Sequence, residues 1–348
     1  MTGVSIWRGT DDVSTSIDGD LADWSTLADK DWSTLLLGNG LSMNLWAGFG
    51  YKSLYTAASL SSEAKAIFAE LGTTNFEQGL QCLHHANIAL RALEQPTTLV
   101  DATYEQIRDA LFNTVGDVHV AWDDFPPDTH DHIATQIDRF ESVFTTSYDL
   151  NLYWSHMWAQ YKSTNVTTNI VDLFWAGDRF DPANCDVWSN KATRVLYLHG
   201  GLHLWQDDQT GENGKWTHAS GGRLLDLKSK YGPGSDRRPL FVSEGTWAAK
   251  SRTIRQSSYL SFCLDELRTD ESPAVVFGQA LADQDRHILT ALNEGSQRRI
   301  AISMYPMGDD EAVVEEKARL LQALRGHRVE FFDSTTHPLG DPALLITP

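Results

Sequence analysis

The chain has 348 residues, of which 41% are hydrophobic and 12 are tryptophan, and its formal charge is −19. That is enough apolar material for one large α/β domain with an insertion, or for two domains. The charge argues against a nucleic-acid backbone as main partner, because phosphates are repelled, but it allows a small anion in one local site. Three cysteines, Cys82, Cys185 and Cys263, stand far apart with no Cys-x-x-Cys. This excludes a cysteine zinc site and points to a reducing compartment. The N-terminus lacks the apolar core of a signal peptide and no apolar run is long enough to span a bilayer, so a cytoplasmic protein is expected.

In chain order, residues 1–30 are polar and acidic and read as a short N-terminal arm, with one helical turn near Leu21 to Leu27. The run Thr34-Leu-Leu-Leu-Gly-Asn-Gly-Leu-Ser42 follows. Its leucines read as a buried strand, and Gly38 and Gly40 flank Asn39 in a turn where backbone can come close to a ligand. Free N–H groups at such a strand end suit a phosphate, and Ser42 adds a hydroxyl. An ordinary strand-to-helix turn has the same pattern. Residues 55–140 carry helical spacing, with Leu60, Ala64, Ile67 and Phe68, then Phe76, Leu80, Leu83 and Leu90, then Ile107 and Leu111. They read as a helical module inserted after the first βα unit, either a lid over the glycine turn or helices that only pack on the sheet.

Val143 to Thr146 has strand composition and Leu150 to Tyr161 is an aromatic-rich helix, so Thr145-Thr-Ser-Tyr-Asp149 sits at a second strand-to-helix junction. Asn169 to Trp175 is a further strand candidate, and Arg194 to Leu198 leads directly into His199-Gly200. Residues 206–237 read as an exposed excursion, Leu240 to Val242 as a short apolar run and Trp247 to Leu267 as a helix. Ala274 to Phe277 is a strand that ends at Gly278, with Asp283 and Asp285 before the helix of Arg286 to Leu292. Arg299 to Tyr305, Asp309 to Leu324 and Val329 to Phe332 read as strand, helix and strand. Strands alternating with helices from end to end predict an α/β fold, a Rossmann-like doubly wound parallel sheet, over residues 31–348. Ligands of such sheets bind at the carboxyl ends of the strands, where all four polar or glycine-rich motifs fall.

The order Gly38-Asn-Gly-Leu-Ser42, Thr145-Thr-Ser-Tyr-Asp149, Leu198-His-Gly200, then Gly278 with Asp283 and Asp285 resembles the sirtuin-like NAD-consuming proteins of bacteria. Phe49-Gly-Tyr-Lys-Ser-Leu54, Leu150-Asn-Leu-Tyr-Trp154, Leu198-His-Gly-Gly-Leu-His-Leu204, Val242-Ser-Glu-Gly-Thr246 and Tyr259-Leu260 resemble one sirtuin-like bacterial family catalogued only as a domain of unknown function. The resemblance implies NAD, or a related adenine nucleotide, as substrate or ligand and no metal. Gly38, Asn39, Gly40 and Ser42 then hold the pyrophosphate and the adjoining ribose, Thr145 and Gly278 join them as cofactor-binding, and Asp283 and Asp285 lie near the adenosine end or order its loop. Cleavage of the nicotinamide–ribose bond, as in related antiphage proteins, passes through an oxocarbenium-like state. His199 becomes the candidate base, acting through a ribose hydroxyl or on water, joined in the catalytic set by Ser147 and Asp149.

Members that cleave NAD usually carry Asn where Ser147 stands. This leaves two readings, an NAD hydrolase gated by oligomerisation or a protein partner, and a nucleotide-binding sensor with an impaired site. A different N-glycosidase or nucleotide hydrolase is a third. Protein deacetylation is disfavoured because the four-cysteine zinc module of the enzymes that perform it is missing. On the hydrolase reading Ser147→Asn raises turnover, and Gly40→Val abolishes nucleotide binding with the fold intact. Several residues have structural alternatives: Asp149 as a helix cap, His203 packed beside Trp205, His119 reaching the pocket or not, Glu244 as a site carboxylate or turn residue, and His84-His85 as adjacent helical positions that form no metal pair.

Overall fold

The computed structural model describes residues 17–162, 169–174, 178–181, 192–217, 225, 230–231, 234–306 and 308–347. Ten strands are present among them: β1 Thr34–Leu37, β2 Ser142–Thr145, β3 Asn169–Val171, β4 Ala192–Tyr197, β5 Gly200–Asp207, β6 Asn213–Lys215, β7 Arg237–Phe241, β8 Ala274–Phe277, β9 Arg299–Met304 and β10 Arg328–Asp333. Seven of them form one sheet in the order β10-β9-β8-β1-β2-β4-β3, and every pairing in it is parallel. All four residues of β1 are buried, as a central strand covered on both faces requires. Leu37 is in register with Thr145 on one side and Phe277 on the other. From β1 the chain winds outward through β2 and β4; it then returns to β8 and winds the other way. The switch in direction falls between β1 and β8, and the fold is Rossmann-like and doubly wound.

Eleven α-helices are present among the described residues: α1 Asn39–Leu45, α2 Tyr51–Ala57, α3 Ser62–Leu71, α4 Phe76–Ala92, α5 Thr98–Asp117, α6 Pro127–Ile137, α7 Asn151–Tyr161, α8 Trp247–Arg255, α9 Ser258–Thr269, α10 Arg286–Glu294 and α11 Asp310–Ala323. Helices α2 to α6 lie between β1 and β2 and match the helical stretch expected there. The start of α4 reaches the loops at the strand ends. A Cβ on Gly245 would lie 2.1 Å from Gln81 N and 2.3 Å from Glu77 O, so only glycine lets that loop press against the helix backbone.

Four expectations change. Residues 17–30 do not form a detached arm: Ala22 N donates to Phe331 O at 3.2 Å, Asp333 N donates to Ala22 O at 2.9 Å, and Trp24 is buried against Phe332 and His337. The apolar payload of that tryptophan overrides the polar composition around it. The expected arm's first sixteen positions lie outside the described residues. Residues 206–237 are not simply an excursion, because β6 lies among them and pairs antiparallel with β5, which β7 joins on the other side in a second, three-stranded sheet. The helix expected from Trp247 to Leu267 is two helices, since the Ser257 hydroxyl caps α9 through Leu260 N at 3.1 Å. The strand expected over Asn169 to Trp175 is short; Leu173 has φ 65°, and Trp175 is outside the described residues. No described helix is long and apolar enough to cross a membrane.

Candidate functional site

The glycine turn packs against the end of β8 with almost no space between the two backbones. A Cβ on Gly40 would lie 2.5 Å from the Gly278 Cα, and one on Gly278, whose φ is 66°, would lie 2.7 Å from the Gly40 Cα. Gly38 N donates to Phe277 O and Gly40 N to Gly278 O, both at 2.9 Å. These two N–H groups are spent on β8 and are not free for a phosphate. The glycines serve a backbone crossing at the switch point. Asn39 is half-buried, with Nδ2 3.4 Å from Phe49 O.

Beside this crossing lies a cluster of hydroxyls and one carboxylate. Ser42 Oγ bonds Asp149 Oδ2 and stands 3.3 Å from Ser147 Oγ. Asp149 Oδ1 accepts from Asn151 N at 2.9 Å, so this carboxylate both leads into α7 and holds Ser42. His119 turns both ring nitrogens to backbone groups rather than to this cluster. Its Nδ1 lies 2.8 Å from Val120 O and its Nε2 accepts from Leu150 N at 2.8 Å; these partners assign the proton to Nδ1. Thr145 is buried and its Oγ1 accepts from Ser147 N at 3.1 Å. It shapes the loop.

A second cluster surrounds His199. His199, 2% exposed, faces His287 with the two Nε2 atoms 2.8 Å apart, and lies 3.8 Å from Asp285 Oδ1. Burial drives the His199 pKa well below its ordinary value, and the nearby Lys250 ammonium adds to this. Lys250 is fully buried and bridges Asp285 Oδ1 at 2.8 Å to Glu77 Oε1 on α4 at 2.7 Å. The ammonium holds Asp285 down at about 2 against the opposing effect of burial, while burial raises Glu77. Gln279 Nε2 lies 3.0 Å from Thr146 Oγ1, the neighbour of Ser147 in the chain, and 3.3 Å from Asp285 Oδ2.

His199, His287 and Asp285 offer ligand atoms within 4.8 Å of one another. The fit to a metal is poor, because Lys250 already sets a fixed positive charge on the carboxylate that a cation would take. Asp283 and Asp285 separate: Asp285 faces inward, and exposed Asp283 lines a cleft of about 350 Å³ with His84, His85, Trp247 and Arg286. His203 packs on Tyr153 and Tyr197, at 4.3 and 4.9 Å between centroids. Glu244 bonds Thr253 and lines a different cleft with Arg108 and Arg238.

Lys250, His287, Glu77 and Gln279 escaped the sequence reading. Lys250 was the most legible of them: Lys250 and Ile254 are one helical turn apart and both buried, which is the spacing of an apolar face that has a charge on it.

Buried histidines elsewhere give an expected acid sensitivity. Burial lowers His130 and His156 from 6.5 to about 4. Below pH 6.5 the unfolded chain binds these protons and the folded chain does not, so unfolding free energy falls as pH drops from 6.5 towards about 4. Urea denaturation at about pH 8 and about pH 5 should show a lower midpoint in acid, and His156→Phe should flatten the difference. Equal midpoints would refute it.

Fold and site define a Rossmann-like α/β protein with clustered polar side chains at its topological switch point. Residues 35–339 match the model of a family described as a domain of unknown function (DUF4917), and the chain belongs to that family. No curated protein matches its sequence. Among solved structures, one titled "Structural Basis for the Mechanism and Regulation of Sir2 Enzymes" is similar, with 14% identity and a TM-score of 0.35 over 86% of this chain and 95% of that chain.

Proposed function

We propose that the protein is a sirtuin-like effector that binds NAD at the β1/β8 switch point and hydrolyses it to ADP-ribose and nicotinamide, depleting NAD in bacterial antiphage defence. The observation that carries this reading is that Ser42, the Ser147–Asp149 loop and His199, from three distant stretches of sequence, fall at the carboxyl ends of adjoining central strands; Ser42 bonds Ser147 and Asp149, and Gln279 runs from Thr146 to Asp285, 3.8 Å from His199. Nucleotides bind at such switch points in open α/β sheets. The ordered motifs shared with NAD-consuming proteins point to the same ligand. The nicotinamide–ribose bond breaks with positive charge on the sugar carbon. An acceptor at the ribose hydroxyl, the role of His199, and a carboxylate near the attacking water, the role of Asp149, both lower that barrier. The exposed indole of Trp247 beside Asp283 offers a face for the purine. Activity that destroys NAD has to be gated, by self-assembly or by a protein partner.

The test is incubation of the purified chain with NAD and measurement of free nicotinamide, alone and with candidate partners. His199→Gln should lower release ~10²–10⁴-fold, the usual contribution of a group that moves a proton. Release by His199→Gln equal to wild type would remove His199 from the reaction. One observation favours a nucleotide sensor without turnover: the His199 Nε2 is already engaged by His287. On that reading calorimetry shows NAD binding and no nicotinamide appears.

A further inference from the structure

The hydroxyls of Ser42 and Ser147 and the carboxylate of Asp149 form a chain whose hydrogen directions can be assigned. Ser42 is the fourth residue of α1, and Ser147 and Asp149 lie on the loop after β2. An aspartate carboxylate only accepts, and a serine hydroxyl has one hydrogen to give. The Ser42 hydrogen therefore points to Asp149 Oδ2. The Ser42 oxygen, 3.3 Å from Ser147 Oγ, is then left as acceptor for the Ser147 hydrogen. Asp149 is 5% exposed and Ser42 2% exposed, while Ser147 is half-buried. The chain thus runs from the more open hydroxyl to a buried carboxylate. Asp149 Oδ1 is held by Asn151 N, which fixes the orientation of the acceptor.

We propose that Ser147, Ser42 and Asp149 are a hydroxyl–hydroxyl–carboxylate relay that takes the proton of the attacking water. The inference rests on the hydrolase reading and names its base. As the water oxygen bonds to the ribose carbon, its proton passes to Ser147 Oγ. The Ser147 proton passes to Ser42 Oγ, and the Ser42 proton to Asp149 Oδ2. The carbon–nitrogen bond breaks, and its electron pair returns to the pyridinium ring, which leaves as neutral nicotinamide. Asp149 then gives its proton to solvent. One water is consumed and one proton released, so atoms and charge balance. His199 serves the ribose, and Asp149 serves the water.

The relay gives Ser147 a positive role. An asparagine there positions water but cannot accept one proton while releasing another along a chain, whereas a hydroxyl can. Ser147→Asn therefore lowers turnover in this chain, the opposite of what the resemblance alone implies.

The experiment uses the full chain as wild type, Ser42→Ala, Ser42→Thr, Ser147→Asn and Asp149→Asn. Infrared difference spectra read the Asp149 carboxylate stretch, assigned by its loss in Asp149→Asn, without any need for activity. Ser42→Ala should shift that band, and Ser42→Thr should restore it. Nicotinamide release is then measured in mixtures of light and heavy water, with any partner or trigger present. Wild type should give a curved proton inventory. Ser42→Ala should give a linear one, with kcat lower ~10²–10⁴-fold and KM little changed. A merely structural Ser42 would leave the inventory curved. An unmoved carboxylate band, or wild-type kcat in Ser42→Ala, overturns the relay. A wild-type chain that releases no nicotinamide under any condition refutes the hydrolase reading and the relay's reaction with it; the infrared result then still decides whether the hydrogen-bonded chain exists.

Discussion

Replacing Lys250 with methionine should destabilise the protein by about 3–5 kcal/mol, the usual loss when one partner of a buried ion pair is removed. Lys250 is fully buried between Glu77 and Asp285, whose side chains are 21% and 14% exposed. Burial opposes its charge, but the two carboxylates raise its pKa above the ordinary value, so the ammonium stays charged. With methionine in its place, two carboxylates face one another with no cation between them. The damage should also spread. Glu77 belongs to α4, and Asp285 lies beside His199, so the same ammonium ties the helical module to the crevice. Adding Glu77→Gln to Lys250→Met should recover part of the loss, because one of the repelling charges is gone. Urea denaturation followed by tryptophan fluorescence measures both variants. A Lys250→Met protein within about 1 kcal/mol of wild type would show that the three charges are not coupled.

Gly40→Val should disrupt the β1/β8 backbone crossing rather than block a ligand. Its Cβ would stand 2.5 Å from the Gly278 Cα and 3.0 Å from the Gly278 O. Backbone atoms of a central strand end cannot move aside as a flexible side chain can. Overpacking typically costs about 1–3 kcal/mol where side chains can adjust, and a branched residue against two backbones should reach or exceed the top of that range. Nucleotide affinity and the unfolding midpoint should therefore fall together. Affinity lost at an unchanged midpoint would restore the turn to the role of ligand cradle that its composition suggests.

Much of the frame was legible because its signals are local. Leu35 to Leu37 form a continuous apolar run, which is how a strand covered on both faces reads. The helical spacing from Leu60 to Leu111 marked the module between β1 and β2. Once strands and helices alternate, the carboxyl ends of the strands are the ligand edge. Gly38, Ser42, Ser147, Asp149 and His199 could be gathered there without coordinates.

The rest was decided by contacts between positions far apart in the chain. Residues 17–30 have an arm's composition, but their place depends on Phe331 and Asp333, some three hundred residues away. The antiparallel sheet of β5, β6 and β7 depends on long-range register that no local period encodes. A glycine pair announces close approach but not what approaches, and here it is β8 in place of a phosphate. His287 and Lys250 acquire meaning only from His199, Asp285 and Glu77. By itself the sequence determined the layered α/β frame and the edge where polar residues collect, because apolar periodicity and chain alternation are local properties. Only the tertiary structure decided which of those residues share a hydrogen and which buried charge holds them, because hydrogen bonds and ion pairs act over a few ångströms between elements that folding alone brings together.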